Sequence, residues 1–187
     1  MATAPPLSEP AIGPSLSPHR RVLHCVVLTN GSRATRSVST QREKMMDRIV
    51  VGVDGSEGSK VALAWAVEEA LLREATLELV NVYAPPMIYD GISIAIQAEE
   101  LLLAPRRAAE ALVKELAGGI DAVPVETHAI EDASAPRALV EHADGAAMLV
   151  VSARGLGPFR RMLLGSVSSN VAHHATCPVV IIPAATS

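Results

Sequence analysis

From residue 48 onward, two hydrophobic textures alternate along the chain. Short continuous apolar runs suit strands buried on both faces. Longer segments with apolar positions every three or four residues suit helices with one buried stripe. Ile49 to Val53 is the first run, interrupted only by Gly52, and it ends in Asp54-Gly55-Ser56, a turn that offers a helix N-cap. The pattern predicts a helix over Ser59 to Arg73 with Leu63, Val67, Ala70 and Leu71 on its buried stripe. Thr76 to Tyr83 reads as the second strand, ended by Pro85-Pro86. A helix is expected over Gln97 to Leu116, kinked or divided at Pro105. Val123 to Ile130 reads as the third strand, with Pro124 near its start. A short helix follows over Ala135 to Ala143, capped by Ser134, with Pro136 in its first turn. Ala146 to Val151 is the fourth strand, Ser166 to Ala175 a helix and Val179 to Ile182 the fifth strand.

Five strands alternating with four helices imply an α/β fold. The expected architecture is a parallel sheet with right-handed crossovers and helices on both faces. Such sheets bind ligands at the C-terminal ends of their strands, where the strand order reverses. Asp54, the Val82 region and the loop after Val151 all lie at strand ends of that kind. They are expected to share a crevice.

Composition narrows this picture. Apolar residues make up 49% of the 187, charged residues 19% and aromatics 2%. A core of Ala, Val, Leu and Ile suits a buried parallel sheet, and the scarcity of rings argues against recognition of nucleic-acid bases by stacking. Residues 1–46 carry six Lys/Arg against two Asp/Glu, whereas residues 47–187 carry ten against eighteen. The acidic body has no broad basic footprint, so nucleic acid is not an expected partner. Cys25 and Cys177 form no disulfide framework, which favours a reducing, cytoplasmic setting. No apolar run reaches the roughly 18 residues that span a bilayer, so no membrane partner is expected.

Residues 1–46 are rich in Pro, Gly, Ser and Thr, show no periodicity, and are expected to be disordered. Three readings compete: an over-extended translation start with Met45 or Met46 as the true beginning, an organelle transit peptide, and a functional basic arm. The first is preferred because the first strand begins directly after Met46. Residues 47–187 then form one domain.

The segment Ser152 to Ser169, SARGLGPFRRMLLGSVSS, carries the clearest chemistry. It follows the fourth strand, contains a glycine loop, and runs through Gly165-Ser166 into a helix. First-turn N–H groups have no carbonyl partner inside their helix, and the dipole favours an anion there. Phosphate binding is one reading. The other is that Gly155 and Gly157 only turn the chain and Ser166 only caps a helix, and composition alone does not separate them. Asp54 is read either as a ligand to ribose or, through water, to Mg²⁺, or as a turn residue. Arg154, Arg160 and Arg161 are candidates for a terminal phosphate or for solvated surface. His173, His174 and Cys177 lie within five residues but lack the second ligand pair that a structural zinc site needs. His128 and His142 are isolated in sequence, with no nucleophile to activate.

The same segment is similar to the nucleotide loop of the universal stress protein family, G-x2-G-x9-G-[S/T]. Ser152-Ala153-Arg154-Gly155, nine residues and Gly165-Ser166 occupy that frame. Ile49-Val50-Val51-Gly52-Val53-Asp54-Gly55-Ser56, Val167 to His174 and Cys177 to Ile182 also resemble the family, so the likeness covers residues 47–184. It implies a Rossmann-like sandwich of the adenine nucleotide alpha hydrolase type, commonly dimeric through the last strand, and a stress-response role. Carried onto this chain, it implies that Gly52 and Asp54 lie by the nucleoside of ATP and that Val82 offers backbone contacts to adenine. Ser152, Ala153, Arg154, Gly155, Leu156, Gly157 and Pro158 would line the phosphates with Gly165, Ser166, Val167 and Ser168, and Mg²⁺ would accompany them. One departure stands out: Ser152 occupies the first glycine position of the motif. If that position needs positive φ or very close backbone approach, serine weakens the site; alternatively its hydroxyl offers a compensating hydrogen bond, and the sequence does not separate the two.

There is no G-x4-G-K-[S/T] and no identifiable general base, so binding with at most slow hydrolysis is expected. The leading reading is a nucleotide-dependent switch or sensor. The alternative is a nucleotide-free dimeric interaction module, and an ATPase ranks last.

Overall fold

The computed structural model describes residues 48–85, 98–156 and 164–183. The N-terminal extension, Gly157, Pro158, Arg160 and Arg161 lie outside the described residues. The elements in chain order are β1 (Arg48–Gly52), α1 (Glu57–Arg73), β2 (Thr76–Tyr83), α2 (Ala98–Ala117), β3 (Val125–Glu131), α3 (Ala135–His142), β4 (Met148–Ser152), α4 (Ser166–His174) and β5 (Val179–Ile182). All five strands are parallel, in the order β3-β2-β1-β4-β5.

Strand alternation divides the core in two. Ile49, Val51, Leu77, Leu79 and Val150 face one side, where Ala62, Leu63, Ala66 and Ala70 of α1 and Val113 of α2 cover them. Val50, Val80, Leu149, Val151 and Val179 face the other, under Leu139 of α3 and Val171 of α4. Ile49, Leu77, Leu79 and Leu149 are wholly buried, each contributing about 1.5–3 kcal/mol. The central strands therefore read as continuous apolar runs because both of their faces are covered.

Three local expectations need correction. The buried stripe of α1 is Ser59, Ala62, Leu63, Ala66 and Ala70, whereas Leu71 is 56% exposed and Val67 is half-buried. Leu63 and Ala70 of the expected stripe are thus buried, and Ala62 and Ala66, whose small side chains let the helix lie close on the sheet, take the place of Leu71. Of the two outcomes expected at Pro105, division does not occur: α2 runs as one helix of 20 residues with Pro105 inside it. Ser134 stands at the N-cap of α3, but its side chain makes no capping bond. Its backbone N–H donates instead to Asp132 Oδ1 at 2.7 Å, and Pro136 removes one of the N–H groups that a cap would serve. Ser56 does cap α1, its Oγ accepting the Ser59 N–H at 3.1 Å.

Candidate functional site

The C-terminal ends of β1, β2 and β4 open into a crevice of about 320 Å³. β1 and β4 are neighbours, but β1 is followed outward by β2 and β3, whereas β4 is followed by β5 on the other side. The strand order reverses between them, and the loops that leave their ends must part there. Gly52, Asp54, Val82, Ser152, Ala153, Gly155, Leu156, Gly165, Ser166, Val167 and Ser168 all line this space. Arg154 belongs to the loop but not to the lining.

Asp54 joins the two loops. Its Oδ1 accepts the Ser56 backbone N–H at 3.0 Å and the Ser56 hydroxyl at 2.6 Å. Its Oδ2 accepts the Leu156 N–H at 3.0 Å, from 102 residues further along the chain. Burial by itself would push this carboxyl up. The hydrogen bonds from Ser56 and Leu156 outweigh that and hold it below the usual aspartate value. Gly155 is where the loop comes closest: a Cβ there would run into Asp54 Oδ2. The glycine answers a close approach, not a left-handed backbone, since its φ is not positive.

The rest of the loop is held by its own backbone. Ala153 donates its N–H to Ile182 O at 2.7 Å, and its carbonyl accepts the Gly165 N–H at 2.7 Å and the Ser168 hydroxyl at 2.9 Å. Ser168 is 1% exposed and its one hydroxyl proton is engaged with Ala153 O and Gly165 O. It therefore ties α4 to the strand end. Ser152 closes β4, and its hydroxyl donates to Arg154 O at 2.8 Å. Among the described residues only Glu74 is a non-glycine with positive φ, so Ser152 bears no left-handed strain. In place of a glycine's freedom, serine supplies a bond that shapes the turn.

Two features of the lining leave backbone polar groups beside the crevice. Gly165 is the N-cap of α4, with no side chain to cap it and no acidic residue in the first turn. The first-turn N–H groups of Ser166 and Val167 thus have no side-chain acceptor at the cap, and both residues line the crevice. At the other end, the β1–β2 ladder opens. Val53 donates its N–H to Val80 O at 2.9 Å, but the Val53 carbonyl accepts the Asn81 side-chain amide at 2.7 Å. By strand alternation, the backbone groups of Val82 point to the same side as those of Val80, past the end of β1 and toward the crevice.

Sequence reasoning missed part of the lining. Val53, Val80, Asn81, Ala135, Leu139 and Val151 also face the space, most of them as an apolar wall between β2, β4 and α3. Asn81 had a legible signal: it is a polar residue inside the apolar run of β2, and it is buried. The contribution of α3 had none, because nothing local says which helix crosses over the strand ends.

Residues 45–183 match the family model described as the Universal stress protein family. The chain belongs to that family. It is 35% identical over 140 residues to a universal stress protein of Mycolicibacterium smegmatis, an alignment covering 72% of this chain and 47% of the relative. It is 33% identical over 147 residues to one of Mycobacterium tuberculosis, covering 78% of this chain and 51% of the relative. The chain spans about half the length of these curated relatives. Among solved structures, a universal stress protein in complex with cAMP shares 29% identity with a TM-score of 0.54, covering 74% of this chain and 98% of that one. The universal stress protein UspA from Lactobacillus plantarum, at 24% identity and a TM-score of 0.61, has the same fold over 73% of this chain and 97% of its own. The universal stress protein fold is thus the Rossmann-like α/β sandwich that the strand order describes.

Proposed function

We propose that the crevice binds an adenine nucleotide, with Mg-ATP as the working ligand, and that occupancy switches the protein between two states in a stress response. The observation that carries this reading is the uncapped N-terminus of α4, with the Ser166 and Val167 N–H groups across an apolar slot from the open end of β2. The cAMP-bound relative at 29% identity supports an adenine nucleotide in the same fold. In this reading Val82 and Asn81 meet the base, Gly52 lies by the sugar, and Ser152, Ala153, Gly155 and Leu156 with Ser166 and Val167 surround the phosphates, with Arg154 beside them on the same loop.

Mg²⁺ would travel on the phosphates. Three of the roughly four acceptor sites of Asp54 are already filled by Ser56 and Leu156, so Asp54 reaches a cation at most through water. Asp54 is also the sole titratable side chain among the described lining residues, and it is held ionised by its donors. Binding rather than turnover follows, and a switch then draws on differential affinity between states. Pairing of two copies through β5, a half-exposed edge strand, belongs to the same reading.

Calorimetric titration of the full chain with Mg-ATP, AMP and cAMP tests the proposal. Saturable binding of about one Mg-ATP per chain, tighter than AMP, is expected. No saturable binding of any of the three removes the nucleotide reading. AMP binding as tight as Mg-ATP removes the role assigned to the phosphate loop.

A further inference from the structure

A second cluster lies away from the crevice lining, under the C-terminal end of α3. Glu78 of β2, His128 of β3 and His142 of α3 each bring one ligand-type atom within 4.8 Å of the others. They come from three elements separated by 14 to 64 positions in the chain, so the tertiary fold alone assembles them. Glu78 is 7% exposed, and its Oε2 accepts from Arg48 Nη1 at 2.7 Å and lies 2.9 Å from His142 Nε2. Glu78 and Arg48 form an ion pair at this distance.

His128 is the anomaly. Its ring packs against that of His142 with centroids 4.6 Å apart, tilted by 55°. Its Nε2 is buried and has no hydrogen-bond partner. The Glu126 carboxylate stands 3.8 Å from that nitrogen, beyond hydrogen-bond reach. A buried polar atom left unpaired is unfavourable, so a partner for it is chemically favoured.

We propose that Glu78, His128 and His142 form a binding site for a divalent transition-metal cation of the zinc class. Two imidazoles and a carboxylate are the donor set such ions take, and three protein ligands leave a fourth position for water or another ligand. Both contacts of the Glu78 carboxylate are to Oε2, which leaves Oε1 for the metal while Arg48 keeps its hold. Arg48 also donates to His142 O at 3.0 Å and to Asp144 O at 2.7 Å, fixing the end of α3 beside Glu78. Supporting hydrogen bonds of this kind orient the ligands of metal sites. Tetrahedral zinc with bonds near 2.0–2.1 Å places its ligand atoms roughly 3.3 Å apart. The ligand-type atoms already lie within 4.8 Å of one another, and His128, on the edge strand and one-third exposed, has to close the remaining gap. Glu78 and Glu126 together outweigh the charge of Arg48, so the surroundings are net negative. Metal here would pin α3 to β2 and β3.

The test is titration of the metal-stripped full chain with Co²⁺, read by its visible d–d bands, with Zn²⁺ as competitor. One equivalent with the intense bands of tetrahedral coordination, displaced by Zn²⁺, is expected for the native chain. His128→Ala should lower the affinity at least about tenfold and abolish the bands. The control His173→Ala with His174→Ala, at the exposed end of α4, should change neither. If His128→Ala does not fold by circular dichroism, His128→Gln replaces it under the same criterion. Absence of tetrahedral bands in the native chain, or their persistence in the His128 variant, would overturn the proposal, as would their loss in the control.

Discussion

The contact between Gly155 and Asp54 makes the sharpest prediction about the loop. In Gly155→Ala the new methyl group meets Asp54 Oδ2, the oxygen that accepts the Leu156 N–H at 3.0 Å. Either the carboxylate swings away or the loop lifts, and in both cases that bond is lost. A hydrogen bond to a charged group is worth about 1.5–3 kcal/mol, so a destabilisation of about 2 kcal/mol is expected, a factor of roughly thirty in the folded-to-unfolded ratio. Asp54 supplies every described atom found within 4 Å of the added Cβ, apart from the chain neighbours of Gly155. In an Asp54→Ala background the same substitution should therefore cost about nothing. It could even stabilise by about 0.4–1 kcal/mol, because alanine restricts the unfolded chain. Urea denaturation of the four proteins closes a double-mutant cycle, and the expected coupling is about 2 kcal/mol. If Gly155→Ala costs the same in both backgrounds, within about 0.5 kcal/mol, the glycine is there for some reason other than the clamp.

Three further outcomes follow from the same geometry. The Asp54 carboxyl is lower in the folded chain than its ordinary value, so its contribution to stability is complete above about pH 3.9 and is lost as pH falls through the lower folded value; the gap between the native chain and Asp54→Asn in denaturation midpoint should narrow over that acid range, and a gap that widens on acidification would contradict it. Ser152→Gly should destabilise by about 1–2 kcal/mol, through the lost bond to Arg154 O and the added freedom of glycine. It should leave Mg-ATP affinity no higher, and a large gain in affinity by calorimetry would show that serine does obstruct the site. Asn81→Leu leaves the Val53 carbonyl without its 2.7 Å donor, so a loss of about 1–3 kcal/mol is expected in the denaturation midpoint; an unchanged midpoint would mean that the β1–β2 ladder closes without the amide.

Strand runs and helix periods were legible because each is a local pattern with a local physical cause. β2 and β5 match their expected limits, and the other elements differ by a few residues at their ends. The loop motif was legible in the same way, since glycines and serines at fixed spacing report on backbone approach and on a helix start. Local pattern failed where packing chose between equivalent faces. On α1 Leu63 and Ala70 of the expected stripe face the sheet, but Leu71 is exposed and Ala62 and Ala66 complete the buried face. At Ser152 the sequence left strain and a useful hydroxyl open, because a motif says where glycine is usual, not which backbone angle this chain adopts there.

The sequence by itself determined five strands, four crossover helices and a glycine loop entering a helix, since all of these follow from period, turn chemistry and spacing. Only the tertiary structure decided what meets what. It set the strand order that brings the ends of β1, β2 and β4 to one crevice, and it closed the bond from Asp54 to Leu156 across 102 residues. It also gathered Glu78, His128 and His142 from three elements. Long-range partners of this kind depend on how strands pair across the whole sheet, and no short window of residues carries that information.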